Sequence, residues 1–358
     1  TDLYYAGLDG NWDEDGDGTY GEANVSVGGN TIDEGDLAAD VFVGRIPIRT
    51  TGQASGYINK VIDYETHPPL SIVKKFIMSG KKLWDSYSGD NRPSDIMSDG
   101  HAQFRAANHG WVSDAEMWMR RTYRDRVQAY GWNPSQVANL FDSLTSWDGS
   151  SCGDYSASGS HMVTRFSEGW NFAINDTHGG TTVLAAESNF GTSHASSLTG
   201  LTAFFYTGAC NSGAFDSSEP SMSEAMLRNP NGGALVYIGC SRYNWGSPDS
   251  PPASDWSTGG TGATYMREFL RLIFEDGVTN TGQAFFDHKA AYASSSGYDG
   301  SYRWDQFGLN LQGDPAIEII LSDGTNNPPV AHSQSLTTAT HNSLDITLSA
   351  VDYENDPL

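Results

Sequence analysis

Cys210 and His178 are the two residues of this chain best suited to covalent chemistry, and each follows a short apolar run. Leu201-Thr202-Ala203-Phe204-Phe205-Tyr206-Thr207-Gly208-Ala209 delivers Cys210-Asn211-Ser212-Gly213, and Trp170-Asn171-Phe172-Ala173-Ile174-Asn175-Asp176-Thr177 delivers His178-Gly179-Gly180. A thiol with an imidazole is the pairing of a cysteine nucleophile and its base. Amide hydrolysis by this route needs a thiolate, a proton shuttle and donors for the developing oxyanion. Cys210 would attack, while His178 would hold the thiolate as an ion pair and protonate the leaving amine. Gly179 and Gly180 on one side, and Gly208 and Ala209 on the other, leave backbone N–H groups open to close approach.

Neither residue is decisive alone. At this glycine content about one His-Gly dipeptide arises by chance. A second one, His109-Gly110, follows the polar run Arg105-Ala106-Ala107-Asn108 and reads as surface. A lone cysteine after a strand is more often a packed hydrophobe than a catalyst. The coincidence of both features at strand ends points to a cysteine hydrolase, a peptidase first of all.

The elements that must position these residues read as alternating strands and helices, which argues for a mainly parallel α/β sheet. In such sheets ligands bind at the carboxyl ends of the strands. Strands are expected at Leu3–Leu8, Asp40–Gly44, Val73–Ser79, Ala234–Gly239 and Ala316–Leu321, besides the two reactive runs. Helices are expected at Gly52–Thr66 (Ile58, Val61, Ile62 and Tyr64 apolar), Asp95–Ala107, Met222–Arg228, Thr264–Glu275 and Gln283–Tyr292. The stretch from Arg120 to Val137 is mixed, and Trp147–Ser160 and Trp245–Gly260 read as loops. At Ser322-Asp323-Gly324-Thr325-Asn326-Asn327-Pro328-Pro329 the composition shifts to a linker. Alternating Ser, Thr and apolar residues follow, as in a sandwich. An immunoglobulin-like sandwich needs about 100 residues, so this is the start of one. The expected layout is residues 1–322, a linker at 323–330, and the truncated β segment at 331–358.

The chain has 358 residues, 20 basic and 44 acidic side chains and a net charge of −24. Such a surface repels polyphosphate and anionic lipid, which disfavours nucleic acid and membrane-surface partners. No run of about 18 apolar residues is present, so no transmembrane helix is expected. No signal peptide is visible, and the chain reads as a piece cut from a longer precursor with further domains. Acidity suits an extracellular, secreted or cell-surface setting, where calcium is plentiful. Of Cys152, Cys210 and Cys240, a bridge between the first and third would leave Cys210 free. Cys240 sits in the apolar run Ala234-Leu235-Val236-Tyr237-Ile238-Gly239, and its favoured reading is a buried small hydrophobe.

Several segments resemble the gingipain family of cysteine peptidases, which are secreted enzymes with a caspase-like fold. These are Trp170–Gly180, Tyr206–Asp216 and Gly232–Gly246, with the motifs His178-Gly179, Gly208-Ala209-Cys210, Ile238-Gly239 and Trp245. Asp2-Leu3-Tyr4-Tyr5, Asp40 through Pro47, and Leu311-Gln312-Gly313-Asp314-Pro315-Ala316 are similar to the opening and closing strands of that family. The resemblance covers roughly residues 1–322. It implies an endopeptidase acting on protein or peptide substrates, with Cys210 as nucleophile, His178 as acid and base, and Gly179 N–H in the oxyanion hole. It also implies that Trp245, with Ser241 in the same loop, binds substrate. The family's acidic partner for histidine has no motif here, with Asp176 and Glu116 as the candidates. Asp148, Asp154 and Asp249 are open choices for an S1 acid.

The run Asp9-Gly10-Asn11-Trp12-Asp13-Glu14-Asp15-Gly16-Asp17-Gly18-Thr19-Tyr20-Gly21-Glu22 is the densest carboxylate cluster. With Asn11 at position 1, Asp13, Asp15, Asp17 and Glu22 fall at the spacing of a twelve-residue calcium loop, and Gly16 takes the sharp turn. Asp9 lies just before it. Oxygen-only ligands favour structural Ca²⁺ over zinc. A solvated acidic loop is the competing reading, but crowded carboxylates repel without a cation. Two other functions compete with the peptidase: a catalytically silent calcium-binding or adhesion domain of a surface protein, and a sortase-like transpeptidase.

Overall fold

The computed structural model describes residues 1–21, 33–73, 75–80, 112–117, 137–138, 159–185, 189–245, 261–274, 276–296, 300–321, 330–331 and 350–351. Seven strands form the central sheet among the described residues. They are β3 (Lys75–Gly80), β4 (Val112–Met117), β5 (Val137–Ala138), β6 (Trp170–Asp176), β10 (Leu201–Thr207), β11 (Gly233–Cys240) and β12 (Leu309–Gln312). Their order across the sheet is β12-β11-β10-β6-β3-β4-β5. All neighbours run parallel except β12, which closes the edge antiparallel to β11. This is the mainly parallel α/β sheet that strand–helix alternation predicts.

The central strands read as unbroken apolar runs because both faces are covered. Every residue of β6 and β11 is buried, as is all of β10 after Leu201. Phe204 stacks on Phe172 and Phe205 on Tyr237, with centroids 5.1 and 5.2 Å apart. Such a ring contributes about 1.5–3 kcal/mol on burial. The helices are α1 (Leu3–Ala6), α2 (Thr51–Thr66), α3 (Gly159–Phe166), α4 (Thr192–Ser196), α5 (Met222–Arg228), α6 (Thr261–Phe274), α7 (Thr281–Ala290), α8 (Ala293–Ser296) and α9 (Gly300–Gly308). Of these, α2 and α5 pack against β11. α5 begins at a reciprocal cap: Ser221 Oγ accepts from Glu224 N, and Ser221 N donates to Glu224 Oε2.

α2 presents a different stripe from the one its aliphatic residues suggest. Tyr57, Val61 and Tyr64 are buried, whereas Ile58 and Ile62 face solvent. The tyrosines win the inner face because their hydroxyls find backbone partners: Tyr57 donates to Leu235 O at 2.9 Å and accepts from Asp314 N at 2.8 Å. Lys60 beside them sends Nζ to the carbonyls of Leu227, Gly232 and Ala234.

Three expected strands take other forms. Leu3–Ala6 is the helical turn α1, because Leu3 and Ala6 are buried at i, i+3 while Tyr4 and Tyr5 are exposed. Asp40–Gly44 forms no ladder. The amides of Asp40 and Val41 both donate to Ala6 O, Phe42 stacks on Phe286, and only Arg45 reaches the sheet, bridging Gln312. Ala316–Leu321 alternates buried Ile317, Ile319 and Leu321 with outward residues, but makes a single bridge, Asn280 to Glu318. Alternation there reports one buried face, not pairing. The closing strand is β12 instead.

Two small sheets matter for the site. β1 (Gly10–Asn11) pairs with β2 (Glu34–Gly35), and β7 (Gly179–Gly180), β8 (Val183–Leu184) and β9 (Phe190–Gly191) form an antiparallel flap. Beyond the sheet domain, β13 (Val330–Ala331) and β14 (Ala350–Val351) pair antiparallel. Residues 323–329 of the linker and the rest of the expected immunoglobulin-like segment lie outside the described residues, as do the expected helix Asp95–Ala107 and residues 120–136 of the mixed stretch. No helix among the described residues is long and apolar enough to cross a membrane.

Candidate active site

Strand register brings the two reactive residues to one place. β6 and β10 pair parallel with Asn175 opposite Thr207, so His178 and Cys210 each lie three residues beyond the same rung. The rung is locked: Thr207 Oγ1 donates to Asn175 Oδ1 at 2.8 Å, and Gly208 N donates to Asn175 O at 2.9 Å. A Cβ added to Gly179 would lie 2.7 Å from Ala209 Cβ and 3.3 Å from Cys210 O. The two strand ends therefore touch backbone to backbone, and only glycine fits at position 179.

Cys210 leaves the ladder in a tight turn. Asn211 has φ of +55°, a left-handed conformation that asparagine tolerates better than most residues. Its N–H donates to Arg242 O at 2.8 Å, and Ala214 N returns to Asn211 O at 3.1 Å. Ser212 Oγ donates to Ala209 O at 3.0 Å. The turn leaves the Cys210 side chain half-buried with a free thiol, while His178 is exposed. The backbone of His178 is held by the flap, Ala185 N donating to His178 O at 2.8 Å.

The thiol is not an easy anion in this setting. Burial pushes Cys210 up from its ordinary value, Asp305 and Asp176 push the same way, and the backbone N–H of Asn244 pulls it down. Asn244 N lies 3.4 Å from Cys210 Sγ. A positive charge nearby would favour the anion of such a sulfur.

Asp176 is 7 % exposed, and its Oδ1 packs against Gly208, where an added Cβ would lie 2.6 Å away. Glu116 lies on the rung that runs from Glu116 through Ser79 and Asn175 to Thr207. Its side chain lies outside the described residues, with Asp148, Asp154, Asp249 and Cys152. Ser241 is buried, its Oγ donating to Gly308 O at 3.1 Å. Trp245 is 48 % exposed at the far end of the same loop. A cavity of about 350 Å³ opens beside this loop, lined in part by Phe215, Asp216, Ser241, Arg242 and Trp304. Sequence reasoning missed the part of Asn244, whose contact with the sulfur is made by backbone atoms and leaves no residue-type signal.

In the acidic loop, Asp13, Asp15 and Asp17 bring carboxylate oxygens within 4.8 Å of one another. Their oxygens also accept backbone N–H groups, Asp13 from Gly18, Asp15 from Asp17 and Asp17 from Thr19, while Asn11 Oδ1 accepts from Asp13 N. An all-oxygen donor set of this kind fits a hard cation. Asp9 does not join it. The pairing of β1 with β2 sets Gly10 opposite Gly35, which carries Asp9 into a separate cluster with Asp36 and Asp40. Glu22 lies outside the described residues.

The model of a family described as Peptidase family C25 matches residues 1–320. Among solved structures, the Arg specific cysteine proteinase gingipain R (RgpB) aligns with a TM-score of 0.59 at 15% identity, covering 85% of this chain and 60% of that one. The complex of Porphyromonas gingivalis RgpB pro- and mature domains aligns with a TM-score of 0.55 at 15% identity, covering 84% of this chain and 61% of that one. A further solved protease aligns at 0.55 and 15% identity, covering 98% of this chain and 65% of its own. No curated protein sequence matches. The chain thus spans about 60% of the length of the gingipain R structure, and shares its fold.

Proposed function

Because the chain belongs to peptidase family C25, we propose that it is a cysteine endopeptidase in which Cys210 attacks the scissile carbonyl and His178 shuttles the proton. The observation that carries this reading is the matched register of β6 and β10, which ends both strands at one rim with Gly179 pressed against Ala209 and Cys210. The Cys210 thiolate adds to the carbonyl carbon, and the oxyanion that forms takes a hydrogen bond from Gly179 N–H. His178 as imidazolium protonates the leaving amine, and water then releases the acyl group from sulfur. Asp176 and Glu116 stay as the two candidates for orienting His178. Trp245, half exposed on the loop after β11, would wall the P1 pocket.

Asn11, Asp13, Asp15, Asp17 and Glu22 would hold a structural Ca²⁺, far in sequence from Cys210. Substrates would be proteins or peptides, and the setting extracellular or cell-surface. The layout proposed is a peptidase domain at 1–322, a linker at 323–330 and the opening of an immunoglobulin-like domain at 331–358.

A fluorogenic peptide library varied at P1, run with and without EDTA, tests the proposal. Wild-type protein should cleave a subset of peptides, and Cys210→Ala should lose at least about 10³-fold in rate without unfolding. EDTA should lower the melting temperature by a few degrees, roughly the effect of losing one bound ligand. Cleavage by Cys210→Ala at the wild-type rate would remove the assignment. Joined instead of hydrolysed peptides would mark a transpeptidase.

A further inference from the structure

The five residues that follow β11 are each tied to a neighbouring element, two of them to α9. Ser241 N donates to Gly308 O at 2.8 Å, Arg242 O accepts from Asn211 N at 2.8 Å, and Tyr243 O accepts from Trp304 Nε1 at 2.7 Å. Trp245 O accepts from Gly262 N, at the start of α6, at 3.0 Å. Asn244 is the residue tied to the reactive sulfur. Its backbone N–H points at Cys210 Sγ from 3.4 Å, and its carbonyl oxygen lies 3.8 Å from the same atom as an acceptor for the thiol proton. Its side-chain Nδ2 donates to Gly208 O at 2.8 Å, two residues before Cys210. The amide head is wedged in place. A Cβ added to Gly262 would collide with both Nδ2 and Oδ1, and one added to Gly208 would lie 3.1 Å from Nδ2.

We propose that Asn244 is a positioning residue whose side chain pins the loop to the nucleophile strand so that its backbone N–H stabilises the Cys210 thiolate. This rests on the reading of Cys210 as the nucleophile. The physical case is electrostatic. Hydrogen bonds to an ionised acceptor are about twice as strong as neutral ones, so the N–H favours the anion over the thiol. The other groups facing the sulfur from its packed elements are Asp176 on β6, Asp305 on α9 and the thiol of Cys240 on β11, and both carboxylates oppose a negative charge there. A backbone N–H donates at every pH. The Asn244 side chain touches no reacting atom. It acts through where it holds its own backbone.

The test compares the full chain with Asn244→Ala, Asn244→Asp and Gly262→Ala. The rate of Cys210 alkylation by iodoacetamide is followed against pH by peptide mass spectrometry, beside kcat and KM. Only the thiolate reacts. Asn244→Ala should move the midpoint of alkylation up by about one pH unit, which is about tenfold slower reaction at neutral pH. Asn244→Asp keeps the size but replaces the donor to Gly208 with an acceptor beside Asp176, and should move it further. Gly262→Ala crowds the amide from α6 without changing Asn244, and should move it in the same direction. In all three kcat should fall more than KM rises. A midpoint that stays within about 0.2 units in the folded variants, even with a lower melting temperature, would reduce Asn244 to a structural residue and overturn the inference. Failure of the underlying reading shows differently, as peptide hydrolysis that survives Cys210→Ala.

Discussion

β10 and β11 are parallel neighbours in one sheet, and a cysteine stands at or just past the carboxyl end of each, yet the two cysteines live in different chemistry. Cys240 is the last residue of the β11 ladder, paired with Leu309 of β12 and 1 % exposed. Burial pushes its thiol far up, and Asp305 adds to this. Cys210 stands three residues past the last rung of β10, in a turn made by a left-handed Asn211, with its sulfur facing a backbone N–H. Both thiols are free. A few residues of chain beyond the ladder thus separate a core hydrophobe from a candidate nucleophile. Residue type says little about which is which, and the exit from the sheet says most of it.

Alkylation of the native protein is the strongest way to break that contrast. Iodoacetamide should modify Cys210 faster than Cys240 by on the order of 10³ or more, because exposing Cys240 requires opening the central sheet. Equal rates, read by peptide mass spectrometry, would mean that Cys240 is not the interior residue described. Serine replacement sharpens the contrast from the other side. Cys240→Ser buries a hydroxyl among apolar neighbours and should cost about 1–3 kcal/mol in urea unfolding while leaving peptide hydrolysis in place. Cys210→Ser should cost under about 1 kcal/mol and abolish hydrolysis.

A smaller effect comes from the interior behind the two strand ends. His288 is fully buried on α7, with Nε2 3.4 Å from the Tyr206 hydroxyl on β10, and burial lowers its pKa to about 3. Its folded value is below the ordinary 6.5, so the unfolded chain binds the extra proton more readily. The neutral form's stability is therefore present above the unfolded value and is lost as pH falls from about 6.5 toward 3. Thermal melts from neutral to mildly acidic pH should show a falling acid limb that is flatter in His288→Asn.

Much of this arrangement is written in the residue pattern, and the exceptions have physical causes. The apolar runs ending at Asp176, Thr207 and Cys240 are buried on both faces, so they announce themselves as central strands, and His178 and Cys210 follow from where the runs stop. Their registration does not follow from the runs, since it depends on the Asn175–Thr207 rung. Leu3-Tyr4-Tyr5 invites a strand because aromatic residues favour one, but only Leu3 and Ala6 turn inward. The flap after His178 consists of two-residue strands too short to leave a period. Asp9 looks like part of the calcium loop along the chain, and pairing of β1 with β2 takes it elsewhere. The grip of Asn244 on the sulfur is made by main-chain atoms, which every residue shares.

The matched rungs of β6 and β10 also set when His178 and Cys210 can stand at one rim. Parallel neighbours need a crossover between them, and such non-local pairing forms late and slowly. A chain that is still being made, or has half come apart, carries the sulfur and the ring but holds them nowhere near each other.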